Sequence, residues 1–398
     1  MNEMQRKLGF INVAHFVDHY VLLIFPTVVI GMQAELGRSY AELIVLSTAC
    51  FVAFGLFSLP AGWIGDHWSR RNMIAIFFFG SAASLAVAAM SPNLIVLAIA
   101  LFALGVFAAI YHPLGVTMLL ANSRNRGRDI ATNGVFGNLG VALAPGITGI
   151  IASFLGWRAA FILPAIVCAA LGVAYLALTS DEKEKPAERK RTAEVKMTFT
   201  MAAIFFGVYA LLSFSGGLVF NTMTISIPKI VDEGIRGDIP LAWIGSIATA
   251  VLLFGGVAQL TVGQLVQRFR PHVLFAVIGI MQGVGVALTS VTGGYALLLA
   301  LALSIAAIYG QITVGDLVIA RYTADAWRGR IYAVRFFLTF ISSGIAVSMI
   351  AALYGKGGFT LVLGATTACA AVFAACTVLV ALLASRVEQR NTRMQPAE

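Results

Sequence analysis

The sequence predicts an all-α membrane protein, with twelve transmembrane helices in two six-helix halves. Three observations lead there: too little charge for a soluble protein, apolar runs of spanning length, and landmarks that recur about 200 residues apart. Of 398 residues, 59% are hydrophobic and 11% charged, where soluble domains carry about 25% charged residues. Mean hydropathy is +0.89. The net charge of +9 does not indicate nucleic acid, because the basic residues fall in short clusters between apolar runs, as in cytoplasmic loops. Cys50, Cys168, Cys369 and Cys376 sit in apolar runs without C-x-x-C spacing, which excludes a zinc or disulfide framework and leaves them as packing residues. Arg6 and Lys7 precede a long apolar segment with no small-residue cleavage site, so a retained first helix is expected.

A spanning helix needs about 20 mainly apolar residues. Twelve segments meet that length: 8–32, 41–64, 72–90, 94–121, 131–154, 158–179, 198–230, 241–266, 272–291, 295–323, 330–354 and 358–385. With an even number of spans both termini share a side. That side holds 21 Lys and Arg against 5 on the other, with Arg335 inside a helix, so the termini are expected to be cytoplasmic at a bacterial-type inner membrane. Residues 181–197 form a charged stretch that reads as a solvated linker between halves 1–180 and 198–398. The halves repeat in parallel: Pro26 recurs as Pro228, Gly62 as Gly263, Arg126-Gly127-Arg128 as Arg328-Gly329-Arg330 and Ala109-Ile110-Tyr111 as Ala307-Ile308-Tyr309. Parallel duplication is known from transporters that rock two halves about a midplane site.

The first segment carries Asn12, His15, Asp18 and His19, which share one helical face. Charge near the bilayer centre costs about 2.5 kcal/mol or more, so this stripe is a candidate site. Asp18 is the first proton-coupling candidate, with His15 and His19 tuning it; alternatively Asp18 is a fixed hydrogen-bonding partner of His15 or His19. Only one other carboxylate, Asp316, lies well inside an apolar segment, within reach of Arg321, Arg330 or Arg335. Arg335 pairs either with Asp316 or with an anionic substrate. His112 precedes Pro113, which frees a carbonyl one turn earlier. Segment seven contains Gly216-Gly217, Asn221 and Pro228, residue types that kink helices; with Pro26 they are candidate gating positions. The register of the repeat sets Asn221, Tyr309, Gln311 and Arg335 as substrate-binding candidates in the second half.

Gly62-Trp63-Ile64-Gly65-Asp66-His67-Trp68-Ser69-Arg70-Arg71 resembles the G-x-x-x-D-x-x-x-R-R loop of the major facilitator superfamily, with a degenerate copy at Gly263 to Arg270 in which the acid is Gln267. The resemblance covers the whole chain. It implies the major facilitator fold, alternating access, and a cytoplasmic latch of Gly62, Asp66, Arg70 and Arg71; helix capping and topogenic charge are the plainer reading of these residues. Gly140 to Gly149, with Pro145 and Gly146, is similar to the glycine-and-proline motif of exporters in that superfamily, and is also what close helix packing uses.

More narrowly, His15-Phe16-Val17-Asp18, Tyr111-His112-Pro113 and the stretch from Asn133 to Gly149 resemble the fosmidomycin-resistance branch of drug:proton antiporters. Leu114 stands where that branch has an acid, and Asp18-His19 where it has Asn-Asp. The resemblance implies a monomeric secondary transporter that moves a small organic solute by proton-coupled efflux. Asn12, Tyr111, His112, Asn133 and Asn138 would contact substrate; protons and the bilayer are the other partners. No cofactor, resident metal or nucleic acid is expected. The other readings are a divalent metal or metal-chelate carrier using His15, Asp18, His19 and His112, and a non-transporting sensor or lipid-handling protein on the same fold. No nucleophile, phosphate-binding loop or metalloprotease spacing points to an enzyme.

Overall fold

A computed structural model describes residues 3–123, 125–181, 199–235, 237, 239–322 and 325–394. All of the expected linker except residue 181 lies outside them, as do the side chains of Arg328 and Arg330. The described residues form fourteen helices and no strand. In the first part of the chain these are α1 (Glu3–Leu22), α2 (Ile24–Leu36), α3 (Tyr40–Ile44), α4 (Ser47–His67), α5 (Arg70–Ala89), α6 (Leu94–Ala108), α7 (Tyr111–Asn122), α8 (Arg126–Leu155) and α9 (Ala159–Leu178). They are followed by α10 (Phe199–Gly234), α11 (Leu241–Leu265), α12 (Pro271–Val291), α13 (Gly294–Tyr322) and α14 (Asp325–Met394).

Several expected spans are two helices end to end, and proline explains two of the breaks. Proline has no N–H and crowds the carbonyl four residues before it. Pro26 therefore leaves the Leu22 carbonyl without its helical donor, and the chain breaks between α1 and α2 at Leu23. Thr27 donates its hydroxyl to the Leu23 carbonyl, 3.3 Å away. In the same way Pro113 lies four residues after Ala109, and α6 ends at Ala108 before α7 resumes at Tyr111. By contrast α10 is continuous through Gly216, Gly217 and Pro228.

Polar residues mark the other ends. Ser39 and Glu42 form a reciprocal capping box at the start of α3, Ser69 caps α5, Asn93 caps α6 and Asn125 caps α8. These satisfy backbone donors that a bilayer leaves unpaired.

Eleven stretches of the described residues are long and apolar enough to cross a membrane. The last, Phe337–Arg386, has 50 residues. At ~1.5 Å per residue it is more than twice the ~30 Å hydrocarbon thickness. It is interrupted at Gly357 and Gly358, where Gly358 adopts φ 60 and ψ −157. That interruption makes two passes of it and brings the number of crossings to twelve, with the break where the sequence places it, between 354 and 358.

The helices cluster into two compact units. Unit 1 comprises Met1–Arg189, Thr224–Leu253 and Ser343–Lys356, so it gathers one end of α10 and of α11 with the first nine helices. Unit 2 comprises Lys190–Met223, Phe254–Ser342 and Gly357–Glu398. In unit 1, α1 packs against α7 and α8, α4 against α6, and α5 against α9. The interior of unit 2 is built from Tyr209, Phe275, Val314, Val318 and Phe373. Large apolar side chains such as Ile95, Phe154 and Leu299 face outward. Lipid-facing surfaces have this character, since only unsatisfied polar groups are costly there.

Candidate functional site

The site in unit 1 begins with two glycines. A Cβ on Gly140 would lie 2.2 Å from the Phe16 carbonyl oxygen, and one on Gly137 would lie 2.5 Å from the His15 ring. Small residues let helix backbones approach closely where no hydrophobic force drives them together. Here they bring α8 onto α1 and leave room for the His15 imidazole beside Gly137.

A connected polar network follows from that approach. His15 bonds through Nδ1 to the Asn133 carbonyl at 2.8 Å. The Asn133 amide donates to Asn12 Oδ1 at 3.0 Å and to the Tyr111 hydroxyl at 2.9 Å. Tyr111 stacks on His15 with ring centroids 4.9 Å apart. The His15, His19 and His112 rings pack on one another, with centroids 5.0 to 5.5 Å apart.

Asp18 is 0% exposed, and no hydrogen bond reaches either carboxylate oxygen among the described residues. Its ion-pair partner is His112 on α7, with Oδ2 3.2 Å from Nε2. Spacing along α1 alone pairs Asp18 with His15 or His19; the structure sets it against another helix, and His15 Nδ1 is taken by Asn133. Six of the candidates, Asn12, His15, Asp18, His19, Tyr111 and His112, thus meet Asn133 in one cluster, whereas Asn138 is half-buried further along α8. Leu114, at the position where the resembling branch has an acid, is buried, with its methyl 2.3 Å from where a Gly65 Cβ would stand.

A second feature lies at the far end of unit 1. Gly149 faces the Leu241 carbonyl, and Gly245 faces the Pro145 carbonyl: a Cβ would stand 2.6 Å and 2.2 Å from those oxygens. At this crossing Thr249 Oγ1 accepts from the Gly146 N–H at 2.9 Å and donates to the Ala142 carbonyl at 2.6 Å. Residues 142 and 146 are a helical i, i+4 pair, next to the rung that Pro145 cannot make. One hydroxyl of α11 therefore occupies both groups of a rung of α8. Thr249 is absent from the sequence reading; its signal is the small-x-x-x-small spacing of Gly245 and Thr249. The same end holds Lys229 against Asp232 at 2.5 Å and Glu233 at 3.5 Å, with Tyr354 bonded to Glu233.

Where α4 passes into α5, Asp66 pairs with Arg70, four residues on, at 2.8 Å. Arg71 reaches α9, donating to the Thr179 and Leu176 carbonyls at 2.9 and 2.6 Å. Gly62 lies beneath Pro113, where a Cβ would be 3.1 Å from the ring.

In unit 2, Arg335 forms an ion pair with Asp316. Asn221 donates to the Gly217 carbonyl at 2.8 Å and to Ser342 Oγ at 3.3 Å. Gly216 leaves space for the Phe373 ring and for the Gln311 side chain. Tyr309 is buried beside Phe220, and its hydroxyl has no hydrogen-bond partner among the described residues.

Twelve apolar passes, kinked at prolines and holding a buried carboxylate among histidines, define a polytopic membrane protein with a polar site inside its helices. The family model of the major facilitator superfamily matches residues 8–347, and the chain belongs to that superfamily. Among curated relatives it is similar to a probable actinorhodin transporter of Streptomyces coelicolor, 24% identical over 313 residues, 75% of this chain and 50% of that one. It is similar to a chloramphenicol resistance protein of Streptomyces lividans, 27% identical over 230 residues, 55% of each. It also matches a probable L-galactonate transporter of Escherichia coli K12, 27% identical over 39% of this chain and 34% of that one. The chain thus spans between 34% and 55% of the length of these relatives. Among solved structures, a bacterial homolog of the human lysosomal transporter Spinster superposes with a TM-score of 0.76 at 11% identity, over the whole of both chains. A POT family transporter superposes with a TM-score of 0.73 at 12% identity, over 97% of this chain and all of that one. These likenesses establish the fold.

Proposed function

We propose that the protein is a secondary active transporter that exports a small organic solute in exchange for protons by alternating access, with Asp18 carrying the proton. The buried Asp18 carboxylate, 3.2 Å from His112 and without a hydrogen bond, is the observation that supports this reading. A carboxyl group inside a bilayer is costly as a charge, which makes it a candidate proton carrier. His15 and His19 tune that exchange, and Asn12, Tyr111, His112, Asn133 and Asn138 present hydrogen-bonding groups to the solute. Relatives named for actinorhodin transport, chloramphenicol resistance and tetracenomycin C export support efflux. In the second half Asn221, Tyr309, Gln311 and Arg335 are the substrate-binding candidates of unit 2.

Both termini lie in the cytoplasm on this reading, with Gly62, Asp66, Arg70 and Arg71 as the cytoplasmic latch and the protein acting as a monomer. The crossing of α8 and α11 at Pro145 and Gly146 is then the outer gate in its closed state. The test is purified protein in liposomes containing a pH-sensitive dye. Addition of a transported solute moves protons in the wild type and not in Asp18→Asn, while the variant keeps its thermal transition; equal proton movement in both removes Asp18 from the mechanism.

A further inference from the structure

The three histidines of the unit 1 site offer a chemistry that proton exchange does not use. One ring nitrogen from each of His15, His19 and His112 lies within 4.8 Å of the other two. Tetrahedral coordination at ~2.0–2.1 Å from a metal places its ligand atoms about 3.4 Å apart. The nitrogens therefore need to draw together by little more than a bond length, which rotation of the His19 and His112 side chains supplies. The geometry points to a binding site for one divalent transition ion of the zinc, copper or nickel class, held by His15 and His19 of α1 and His112 of α7.

Two features outside the ligand set support it. His15 is bonded through Nδ1 to the Asn133 carbonyl, which fixes the ring and leaves Nε2 as its ligand atom. Metal-binding imidazoles characteristically have their second nitrogen held in this way. Asp18, fully buried 3.2 Å from His112, supplies the negative charge that a divalent ion inside a bilayer requires. The donor set selects the metal. Three imidazoles suit zinc, copper and nickel, whereas magnesium and calcium require oxygen ligands. Three protein ligands also leave a fourth position open for water or an anionic group. Because the ligands lie on two helices, an ion bound there ties α1 to α7. This site stands apart from the transport reading, since binding is measured without flux.

The test is a Co2+ titration of the untagged full chain in detergent, read by the visible absorption of tetrahedral cobalt. Expected are saturation at one ion per chain, displacement by Zn2+ but not by Mg2+, and a Zn2+-dependent rise of the thermal transition. His15→Ala, His19→Ala and His112→Ala each weaken binding by tenfold or more, and Asp18→Asn weakens it about 10- to 100-fold. Absence of saturable binding in the wild type overturns the assignment whether or not the variants fold. So does binding of unchanged affinity in His19→Gln and His112→Gln that keep the wild-type elution profile.

Discussion

Thr249→Val removes one hydroxyl from the α8–α11 crossing and keeps the shape of the side chain. In the wild type that hydroxyl makes two bonds, to the Gly146 N–H and the Ala142 carbonyl, at 2.9 and 2.6 Å. Hydrogen bonds between membrane helices contribute on average ~0.6 kcal/mol each and at most ~1.7 kcal/mol. When the helices separate, the Gly146 N–H can return to the Ala142 carbonyl, so the net loss falls near the lower end, about 1 kcal/mol. That corresponds to a shift of about 5-fold away from the close approach of α8 and α11. Spin labels at Leu155 and Trp243, both exposed near the crossing, read the separation in a background with the four native cysteines replaced by alanine. A longer-distance population is expected to grow in Thr249→Val and not in Thr249→Ser. Identical distance distributions for wild type and Thr249→Val would refute the reasoning that these two bonds hold α11 against α8.

Gly140→Val places a Cβ 2.2 Å from the Phe16 carbonyl, so α1 and α8 must separate; a loss of at least 1–3 kcal/mol is expected, seen as a lower thermal transition. Arg71→Ala removes two bonds to the end of α9 and is expected to cost about 1–3 kcal/mol. Arg70→Ala breaks the partly exposed i, i+4 pair with Asp66, worth less than about 1 kcal/mol, and its effect is expected in transport rate, measured side by side with the thermal transition. In unit 2, a double-mutant cycle of Asp316→Asn and Arg335→Gln is expected to show the double variant more stable than the sum of the singles implies; additive losses would mean the pair is not coupled.

Composition and spacing carried the fold far because a bilayer leaves few solutions for a long apolar chain. Pro26 and Pro113 each remove a helical donor where α1 gives way to α2 and α6 to α7, but Pro145 and Pro228 do the same inside continuous helices, so proline alone does not locate the breaks. The expected gap between 354 and 358 is the Gly357–Gly358 interruption. The stripe of Asn12, His15, Asp18 and His19 was legible from periodicity, but the partner of Asp18 was not. Spacing within α1 offers His15 and His19, whereas the contact with His112 depends on how α7 restarts after Pro113 and packs on α1. Thr249 was hidden for a related reason. Hydroxyls in spanning helices commonly donate to the carbonyl four residues back, as Ser246 and Thr366 do here, and only the position of α8 distinguishes Thr249 from them. The ends of Arg71 and Glu35 were likewise set by tertiary contacts, with Thr179 and Leu176 for the first and Trp157 and Arg158 for the second.

The central claim is that Asp18 couples solute movement to protons, and it is tested most directly by comparing two fluxes in the same liposomes. With solute on both sides and no pH gradient, Asp18→Asn is expected to exchange labelled for unlabelled solute at a rate near that of the wild type. With a pH gradient imposed, the wild type accumulates solute against its gradient and Asp18→Asn does not. Accumulation by Asp18→Asn equal to that of the wild type would contradict the account.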